Sequence, residues 1–251
     1  MLTPERHGKI LSLIEENGVA TIQELVEMTG SSESTIRRDL SQLHSEKKLK
    51  RVHGGAEVLF QKGLEPNIAQ KADTNLEEKR AIGAYAAGLV KDGDRIFIDA
   101  GTTALQMIRF LKGKEIIVVT NGLTHLDELA ASRIPSYIIG GFMKQSTRAL
   151  IGSRALSELN EYRFDKCFIG VNGIHPESGF TTPDPEEAAV KAAAIRLSNS
   201  AYILADRSKF DQSAFARIAD LHDAVILTNA LEEEQMKDYA DKTEVKVVDA
   251  S

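Results

Sequence analysis

Residues 31–40 are the first in the chain whose types and spacing could form a binding surface. Ser31 or Ser32 can cap a helix there, because a serine hydroxyl accepts a bond from an unpaired backbone N–H at a helix start. A core-facing stripe follows at helical spacing (i, i+4, i+7): Ile36, Leu40 and Leu43. The solvent-facing arc then carries short hydroxyls and paired arginines, namely Ser32, Ser34, Thr35, Arg37 and Arg38. Arginines reach phosphates or guanine edges, and small hydroxyls fit close to bases, so this face suits a DNA major groove. An ordinary solvated surface helix explains these ten residues equally well.

The flanking residues favour DNA binding. Thr3-Pro4-Glu5 starts one helix, Thr21 with Glu24 forms a capping box for a second, and Gly30 opens a tight turn into the third. This is the helix-turn-helix layout. The alternating run 48–58 turns at Gly54-Gly55 like a small β-wing, and its basic side chains are placed to contact phosphates: Lys50, Arg51 and His53. We therefore predict a winged helix-turn-helix DNA-binding domain over residues 1–58; a winged helix that docks protein instead is the alternative.

A second set of polar residues follows short, continuous Ile- and Val-rich runs. Such runs are typical of parallel strands buried on both faces, and here they alternate with helical stretches: 95–99, 116–120, 137–139, 167–170, 202–205, 224–228 and 245–248. The pattern predicts an open α/β domain over residues 76–251, with a central parallel sheet. Gly63, Pro66 and Asn67 mark residues 59–75 as a linker.

Ligands of such sheets bind beyond the carboxyl ends of the strands. Small polar residues stand at those ends and form a candidate anion site: Asp99, Gly101, Thr102, Thr103, Asn121, Gly122, Gly141 and Asn172. Taken singly each is ordinary turn chemistry, but with the segment 205–210 such residues follow five successive strands, and a series of five favours a site. Arg148, Lys191 and Lys209 could add positive charge for a phosphate. Glu187 either accepts from a sugar hydroxyl or simply favours the start of its helix.

Composition narrows the class of protein. The 251 residues carry 31 Lys and Arg against 37 Asp and Glu, so the chain as a whole does not coat nucleic acid. Its single cysteine, Cys167, rules out an internal disulfide and fits a reducing cytosol. No apolar run is long enough to span a bilayer, and Glu5 and Arg6 stand where a signal peptide is apolar, so we expect a cytoplasmic protein without a membrane partner. The histidines lack metal-ligand spacing, and we expect no metal site.

Together these residues resemble the DeoR family of bacterial sugar-responsive transcriptional regulators. The resemblance covers nearly the whole chain, and its carriers are Ser34–Leu40, Arg51–Ala56, Asp99–Thr103, Thr120–Gly122, Gly140–Gly141, Gly170–Gly173, Glu187–Lys191 and Ala205–Phe210. It implies a winged helix-turn-helix joined to a sensor domain with the fold of ribose-phosphate isomerases. It also implies a phosphorylated sugar as effector, no cofactor, and homo-oligomers (dimers or tetramers) on double-stranded operator DNA. The opening residues 1–7 and the run 32–39 look most like fructose-operon repressors, whose expected effector is fructose 1-phosphate.

Two other functions remain possible at this stage. A sugar-phosphate isomerase with an added DNA-binding module would use the same anion site, but isomerase chemistry needs carboxylates that move a carbon-bound proton. The related isomerases carry them in an Asp-Gly-Ala-Asp-Glu motif, whereas the counterpart here, Gly170-Val-Asn-Gly-Ile174, has no acid. We therefore expect a regulator and not an enzyme. A protein-docking adaptor is the weaker alternative.

Overall fold

A computed structural model describes residues 3–17, 19–46, 48–52, 54–58, 68–229, 231 and 233–248. The chain divides into two compact units, Met1–Pro66 and Asn67–Ser251. Among the described residues no helix has the length and apolar character needed to cross a membrane.

The first unit combines three helices with a three-stranded sheet. Its elements are α1 (Thr3–Asn17), β1 (Val19–Thr21), α2 (Ile22–Thr29), α3 (Glu33–Ser45), β2 (Leu49–Val52) and β3 (Gly55–Val58). The strand order is β1-β3-β2, and both pairings are antiparallel. This is the predicted winged helix-turn-helix, with β1 as an addition.

The capping residues and the buried stripe predicted from the sequence are present in the structure. Thr21 and Glu24 form the capping box of α2, and Gly30 ends that helix in the left-handed conformation with φ of 65°. Beneath α3 the stripe of Ile36, Leu40 and Leu43 is fully buried in one cluster with α1 and α2 side chains. Packing of this apolar face, more than intrinsic propensity, is what stabilises helices of this length.

The second unit is an α/β domain. Its helices are α4 (Ile68–Asp73), α5 (Leu76–Gly88), α6 (Thr102–Ile108), α7 (Leu126–Ala131), α8 (Ser153–Leu159), α9 (Pro185–Arg196) and α10 (Glu233–Ala240). Its strands are β4 (Arg95–Ile98), β5 (Ile117–Thr120), β6 (Ser136–Ile138), β7 (Phe142–Lys144), β8 (Ala149–Ile151), β9 (Phe164–Gly170), β10 (Gly173–His175), β11 (Gly179–Thr182), β12 (Ser198–Leu204), β13 (Ala216–Ala219), β14 (Val225–Thr228) and β15 (Val245–Val247).

The seven predicted strands form one parallel sheet in the order β15-β14-β12-β9-β4-β5-β6. Helices cover it and leave its central residues, such as Phe97, Phe168 and Ile203, fully buried. Cys167 stands in the apolar run 166–170, which predicts a core position. This is confirmed: Cys167 is fully buried, and burial raises the pKa of its thiol to about 12. Such a thiol is not a nucleophile at neutral pH.

Three features differ from the sequence-based prediction. Asn75, with Glu78 three residues later, is a sequence signal for a helix cap at the start of α5. Its side chain makes no capping bond, however; its Nδ2 donates instead to Asp206 Oδ1 at 3.1 Å. Residues 68–73, placed in the linker stretch 59–75, form helix α4, while residues 59–67 lie outside the described part. Two antiparallel sheets, β7-β8 and β10-β11-β13, were not predicted because their strands lack the continuous Ile- and Val-rich runs of the central sheet.

Candidate functional site

Helix α3 presents the predicted polar arc. Ser32 is its N-cap, and the Ser32 hydroxyl accepts from the backbone N–H of Thr35 at 3.3 Å. The same Oγ lies 3.0 Å from Ser34 Oγ and 2.9 Å from Thr35 Oγ1. Three hydroxyls therefore cluster at the start of the helix, where backbone N–H groups also point outward and attract phosphate.

The two arginines on this arc differ in their ion pairing. Arg37 donates to Glu33 Oε1 at 2.6 and 3.0 Å, and the two side chains are 51% and 60% exposed. An ion pair this exposed is weak and easily exchanged for a phosphate. Arg38 is exposed and makes no ion pair with any described side chain. It is thus the arginine whose charge is most readily offered to DNA.

The wing carries two of the three predicted basic residues on β2. Lys50 and Arg51 are both exposed, and Arg51 Nη1 donates to Ser41 Oγ of α3 at 2.9 Å. The wing is thereby tied to the recognition helix. His53 lies outside the described residues.

A buried ion pair that the sequence did not reveal joins α1 to α3. Arg6 Nε lies 2.5 Å from Asp39 Oδ2, and Arg6 Nη2 donates to Asp39 Oδ1 at 3.1 Å. His7 Nε2 also lies 3.1 Å from that Oδ1. Burial alone would raise the pKa of Asp39, but its hydrogen bonds to Arg6 and His7 outweigh burial and hold this pKa below its usual value. The pair therefore ties α1 to α3.

Replacing Asp39 with asparagine should therefore destabilise the first unit at neutral pH. The wild-type contribution is present above the unfolded pKa, near 3.9, and is lost as the pH falls through the lowered folded pKa. We expect the unfolding temperature of this unit to fall by roughly 5 °C or more, with faster amide hydrogen exchange in α1 and α3. Glu33→Gln, a matched change in the exposed pair on the same helix, should leave both unchanged. Equal melting curves for Asp39→Asn and wild type would contradict this role.

In the second unit, the carboxyl ends of four adjacent strands form the candidate effector site. In sheet order β12-β9-β4-β5 these ends carry Asp206, Gly170, Asp99 and Asn121. Neighbouring strands lie about 4.8 Å apart, so the four ends span roughly 14 Å.

Asp99 is the centre of this edge. It is 1% exposed, and its Oδ2 accepts from Lys191 Nζ at 2.5 Å and from the Gly170 N–H at 3.1 Å. Lys191 Nζ also donates to the Gly170 carbonyl at 3.0 Å. A Cβ on Gly101 would stand 3.4 Å from that same carboxylate oxygen, so the loop passes close to the pair. The predicted charge of Lys191 is thus balanced by Asp99 in this arrangement.

Thr102 and Thr103 begin α6 directly after this loop, and both are buried. Asn121 holds the loop from the other side. Its Oδ1 accepts from the Ala100 N–H at 3.0 Å, and its Nδ2 donates to the Leu150 carbonyl at 3.3 Å. A Cβ on Gly122 would approach the Ala100 Cα to 2.9 Å, which explains the glycine there. Asn121 and Gly122 therefore position the loop.

Glu187 lies one helical turn before Lys191 on α9 and is 4% exposed. Its Oε1 accepts from Thr147 Oγ1 at 2.7 Å and lies 3.2 Å from Lys144 Nζ. Thr182 Oγ1 donates to Asn172 Oδ1 at 3.1 Å and lies 3.4 Å from Glu187 Oε2. Asn172 and Glu187 thus share one network. Thr147, Lys144 and Thr182 had no distinguishing sequence signal.

The remaining predicted residues lie further out. Gly141 and Arg148 are exposed on the β7–β8 hairpin, and Arg148 adopts a left-handed conformation with φ of 51°. Lys209 is half-buried in a short 3-10 turn, where it helps to hold the pKa of Asp206 below its usual value against the effect of burial. The structure therefore brings Asp99, Lys191, Asn172 and Glu187 together and leaves Arg148 without a described contact to them.

One group of potential metal ligands occurs among the described residues, at Asp220, His222 and Asp223. Asp223 Oδ2 accepts from the Asp220 N–H at 2.9 Å, and Asp220 forms an ion pair with Arg217. Both acids are therefore engaged in stabilising the turn, and the group lies away from the candidate effector site.

Family comparisons match both units. The DeoR-like helix-turn-helix domain matches residues 6–62, and the DeoR C terminal sensor domain matches residues 74–229. The chain belongs to the DeoR family of transcriptional regulators. A helix-turn-helix domain implies DNA binding, and the sensor domain implies a small-molecule effector.

Relatives of this family member align over almost its whole length. FruR of Bacillus subtilis (strain 168), described as an uncharacterized HTH-type transcriptional regulator, is 51% identical and covers 99% of both chains. The lactose phosphotransferase system repressor of Lactococcus lactis subsp. lactis is 34% identical over 97% of this chain and 98% of its own. Among solved structures, ribose 5-phosphate isomerase A of Methanocaldococcus jannaschii covers 53% of each chain at 19% identity and a TM-score of 0.40, too distant to bear on the site. The relatives favour a regulator over an enzyme.

Proposed function

We propose that this DeoR-family regulator is a repressor of a sugar-utilisation operon, most specifically a fructose operon, and that a phosphorylated sugar such as fructose 1-phosphate modulates it. The observation that carries the DNA-binding part is the exposed arc of Ser34, Arg37 and Arg38 on a capped helix whose opposite face is buried. The relative named FruR, at 51% identity, supports the sugar assignment. No cofactor is part of the proposal.

The sensor unit supports a phosphorylated sugar through its mixed chemistry. The loop 99–103 offers backbone N–H groups and two threonine hydroxyls beside Lys191. Glu187 and Asn172 provide acceptors for sugar hydroxyls on the same side of α9. A ligand with one anionic end and several hydroxyls could bind the loop 99–103 through its anionic end and the acceptors Glu187 and Asn172 through its hydroxyls. Effector action then requires that the ligand favour one of two arrangements of the protein.

Operator binding is proposed to involve two or more chains. The first unit is not basic as a whole, since residues 1–58 hold eight Lys and Arg against nine Asp and Glu. Two recognition helices on half-sites about 34 Å apart would double the phosphate contacts. Analytical ultracentrifugation of the full chain, with and without a duplex selected from random sequences, tests the dimer or tetramer; a monomer on DNA would contradict it.

The effector proposal is tested with purified full-length protein and a panel of phosphorylated sugars that includes fructose 1-phosphate. We expect a rise in melting temperature with the effector and a change in affinity for the selected operator. Thr102→Val should weaken that binding about tenfold or more, because a hydroxyl bond to a charged group is lost. Thr243→Val, at the opposite edge of the sheet, is the matched control and should bind normally. A Thr102 variant with wild-type affinity would remove this loop from the site.

The isomerase alternative is not favoured. Asp99 is held by Lys191, and Glu187 by Lys144 and two threonines, so neither buried carboxylate stands ready to abstract a proton. Incubation with ribose 5-phosphate and with fructose phosphates should give no turnover. Isomerised product that disappears in Glu187→Gln would overturn the view of a sensor that binds without catalysis.

A further inference from the structure

Lys144 and Asp184 are charged residues of the sensor unit that the sequence patterns did not single out. Lys144 lies on β7, and its Nζ stands 3.1 Å from Asp184 Oδ2 and 3.2 Å from Glu187 Oε1. The side chains of Lys144 and Asp184 are 18% and 26% exposed, and Glu187 is buried, so water screens these charges only in part. These three side chains, which we call the α9 cluster, carry two negative charges against one positive charge.

Asp184 occupies the start of α9. It is the N-cap, and its Oδ1 accepts from the backbone N–H groups of Glu186 and Glu187 at 2.8 and 3.2 Å. Burial would raise the pKa of Asp184, but its bonds to Lys144 and to these N–H groups outweigh burial and hold this pKa below its usual value. The carboxylate is therefore charged at neutral pH. The N–H groups that would otherwise attract a phosphate are already bonded to an anion of the chain itself.

Glu187 has one carboxylate oxygen that is poorly supplied with hydrogen-bond donors. Its Oε1 accepts from Thr147 Oγ1 at 2.7 Å. Its Oε2 has one described donor, Thr182 Oγ1 at 3.4 Å, and that hydroxyl has a shorter contact of 3.1 Å with Asn172 Oδ1. A threonine hydroxyl carries one proton, so it cannot fully bond both acceptors. Because buried carboxylate oxygens are normally hydrogen-bonded, this oxygen is suited to a further O–H donor, which a sugar hydroxyl supplies.

The α9 cluster and the loop 99–103 differ in charge. Glu187 and Lys191 stand one turn apart on α9, a rise of about 6 Å. The ion pair that Lys191 forms with Asp99 beside the loop is neutral as a whole, whereas the α9 cluster is negative. Glu186 on the same turn and Arg148 on the same hairpin as Lys144 are both exposed, so water screens their charges. The α9 cluster therefore disfavours an anion and suits a neutral group that donates hydrogen bonds.

We propose that Asp184 and Lys144 are specificity-determining residues of the effector site. With Glu187 they form a subsite that accepts the uncharged, hydroxyl-bearing end of a sugar monophosphate and rejects a second anionic group at that end. The effector class is thereby narrowed to monophosphorylated sugars, and sugar bisphosphates and phosphorylated sugar acids are excluded. Specificity is a difference of affinities, so a repulsive element is needed where two ligands share the same phosphate. This inference rests on the proposed function, in which the phosphate binds at the loop 99–103.

The test uses full-length protein, with fructose 1-phosphate, fructose 1,6-bisphosphate and inorganic phosphate as probes. In wild type we expect titration calorimetry to show a preference for the monophosphate over the bisphosphate of about 100-fold, because like charges placed together strongly oppose binding. Inorganic phosphate, which lacks the sugar hydroxyls, should bind more weakly than fructose 1-phosphate. Glucose 1-phosphate and glucose 1,6-bisphosphate repeat the comparison on a second sugar.

Variants that change charge distinguish electrostatic rejection from lack of space. Asp184→Asn removes one negative charge and keeps the cap, since asparagine caps helices as well as aspartate does. In this variant the preference for the monophosphate should fall to about tenfold or less. Lys144→Met removes the positive charge and should widen the preference. Glu186→Gln is the matched control: it makes the same charge change on the same turn, but at an exposed side chain, so the preference should stay within about twofold of wild type.

Glu187→Gln gives a second test that leaves the cap in place. It removes the other carboxylate charge, so it should also narrow the preference, and it should reduce the advantage of fructose 1-phosphate over inorganic phosphate. Melting curves establish that each variant is folded. A wild type that binds the bisphosphate as tightly as the monophosphate, or an unchanged preference in folded Asp184→Asn and Glu187→Gln, overturns the inference while the proposed function stands. No binding of any phosphorylated sugar by wild type overturns both.

Discussion

Replacing both Arg37 and Arg38 with alanine should abolish measurable operator binding at physiological salt, with Arg38→Ala alone weakening it by about 10- to 100-fold. Each arginine that contacts a base edge or phosphate contributes about 1–3 kcal/mol, and an oligomer uses the same residue at least twice. Arg38 is exposed and makes no described ion pair, so its whole charge is available to DNA. The measurement is fluorescence anisotropy with a selected operator duplex at several salt concentrations.

The individual variants separate affinity from sequence readout. Arg37 must first leave Glu33, from which it is separated by 2.6 Å, so Arg37→Ala should cost less than Arg38→Ala. Glu33→Gln should bind more tightly than wild type, because it removes both this competition and a negative charge facing DNA. A residue that contacts only phosphate lowers the salt dependence by about one ion per site and affects all sequences equally. A residue that contacts a base relaxes the preference at one position.

The control is Arg109→Ala, an exposed arginine of the sensor unit, which should leave the titration unchanged. Normal operator binding by the double variant Arg37→Ala/Arg38→Ala would assign DNA contact to the wing or to another face. Lys50→Ala in that background then weakens binding only if the wing carries the contact. The protein-docking adaptor would be revived by a different result, the absence of operator binding by the wild type.

Local signals predicted most of the architecture. The seven strands were visible because parallel strands buried on both faces leave continuous apolar runs, and every one joined the central sheet. The capping box at Thr21 and Glu24 was equally visible, because its two bonds join residues three positions apart. Such features are encoded within one or two turns of chain, which is the range that sequence spacing can report.

The pairs that organise the two sites join residues far apart in the chain. Arg6 and Asp39 are 33 residues apart, and Asp99 and Lys191 are 92 apart. Nothing in the spacing of either pair distinguishes it from ordinary surface charge, so only the fold reveals that these charges are buried together. Asn75 is a case in which a distant residue changes a local interaction. Its position carries a capping signal, but its side-chain amide donates to the buried carboxylate of Asp206, 131 residues later, and not to the helix.

Local polarity also could not tell ligand contacts from supporting contacts. Asn121 and Gly122 were predicted to belong to the site. The Asn121 side chain instead accepts from the Ala100 N–H, and Gly122 leaves room for the close approach of the Ala100 backbone, so both support the loop. The assignment of individual residues to the effector therefore remains a prediction for the variants described above.

The Asp99–Lys191 pair should be the largest single determinant of stability in the sensor unit. Asp99→Asn leaves the Lys191 ammonium buried, 7% exposed, with the Gly170 carbonyl at 3.0 Å as its remaining described partner. Removing one member of a buried ion pair costs about 3–5 kcal/mol, chiefly because the other charge is stranded. We expect that loss in the free energy of unfolding measured by urea denaturation, together with weaker effector binding, since Gly170 and the loop 99–103 lose their common anchor.

The double variant Asp99→Asn/Lys191→Met distinguishes the stability cost of an unpaired buried charge from the effect of losing the contacts that shape the site. Because a neutral pair of similar volume is often tolerated, the double variant should recover most of the stability that either single change removes. Effector binding should not recover with it, because the methionine lacks the ammonium that joins Asp99 to the Gly170 carbonyl. Asp94→Asn is the matched control: Asp94 pairs with Lys166 at 2.6 Å near the opposite edge, where both side chains are more exposed, and its loss should be smaller. If Asp99→Asn costs no more than Asp94→Asn, the buried pair is not the anchor of this edge.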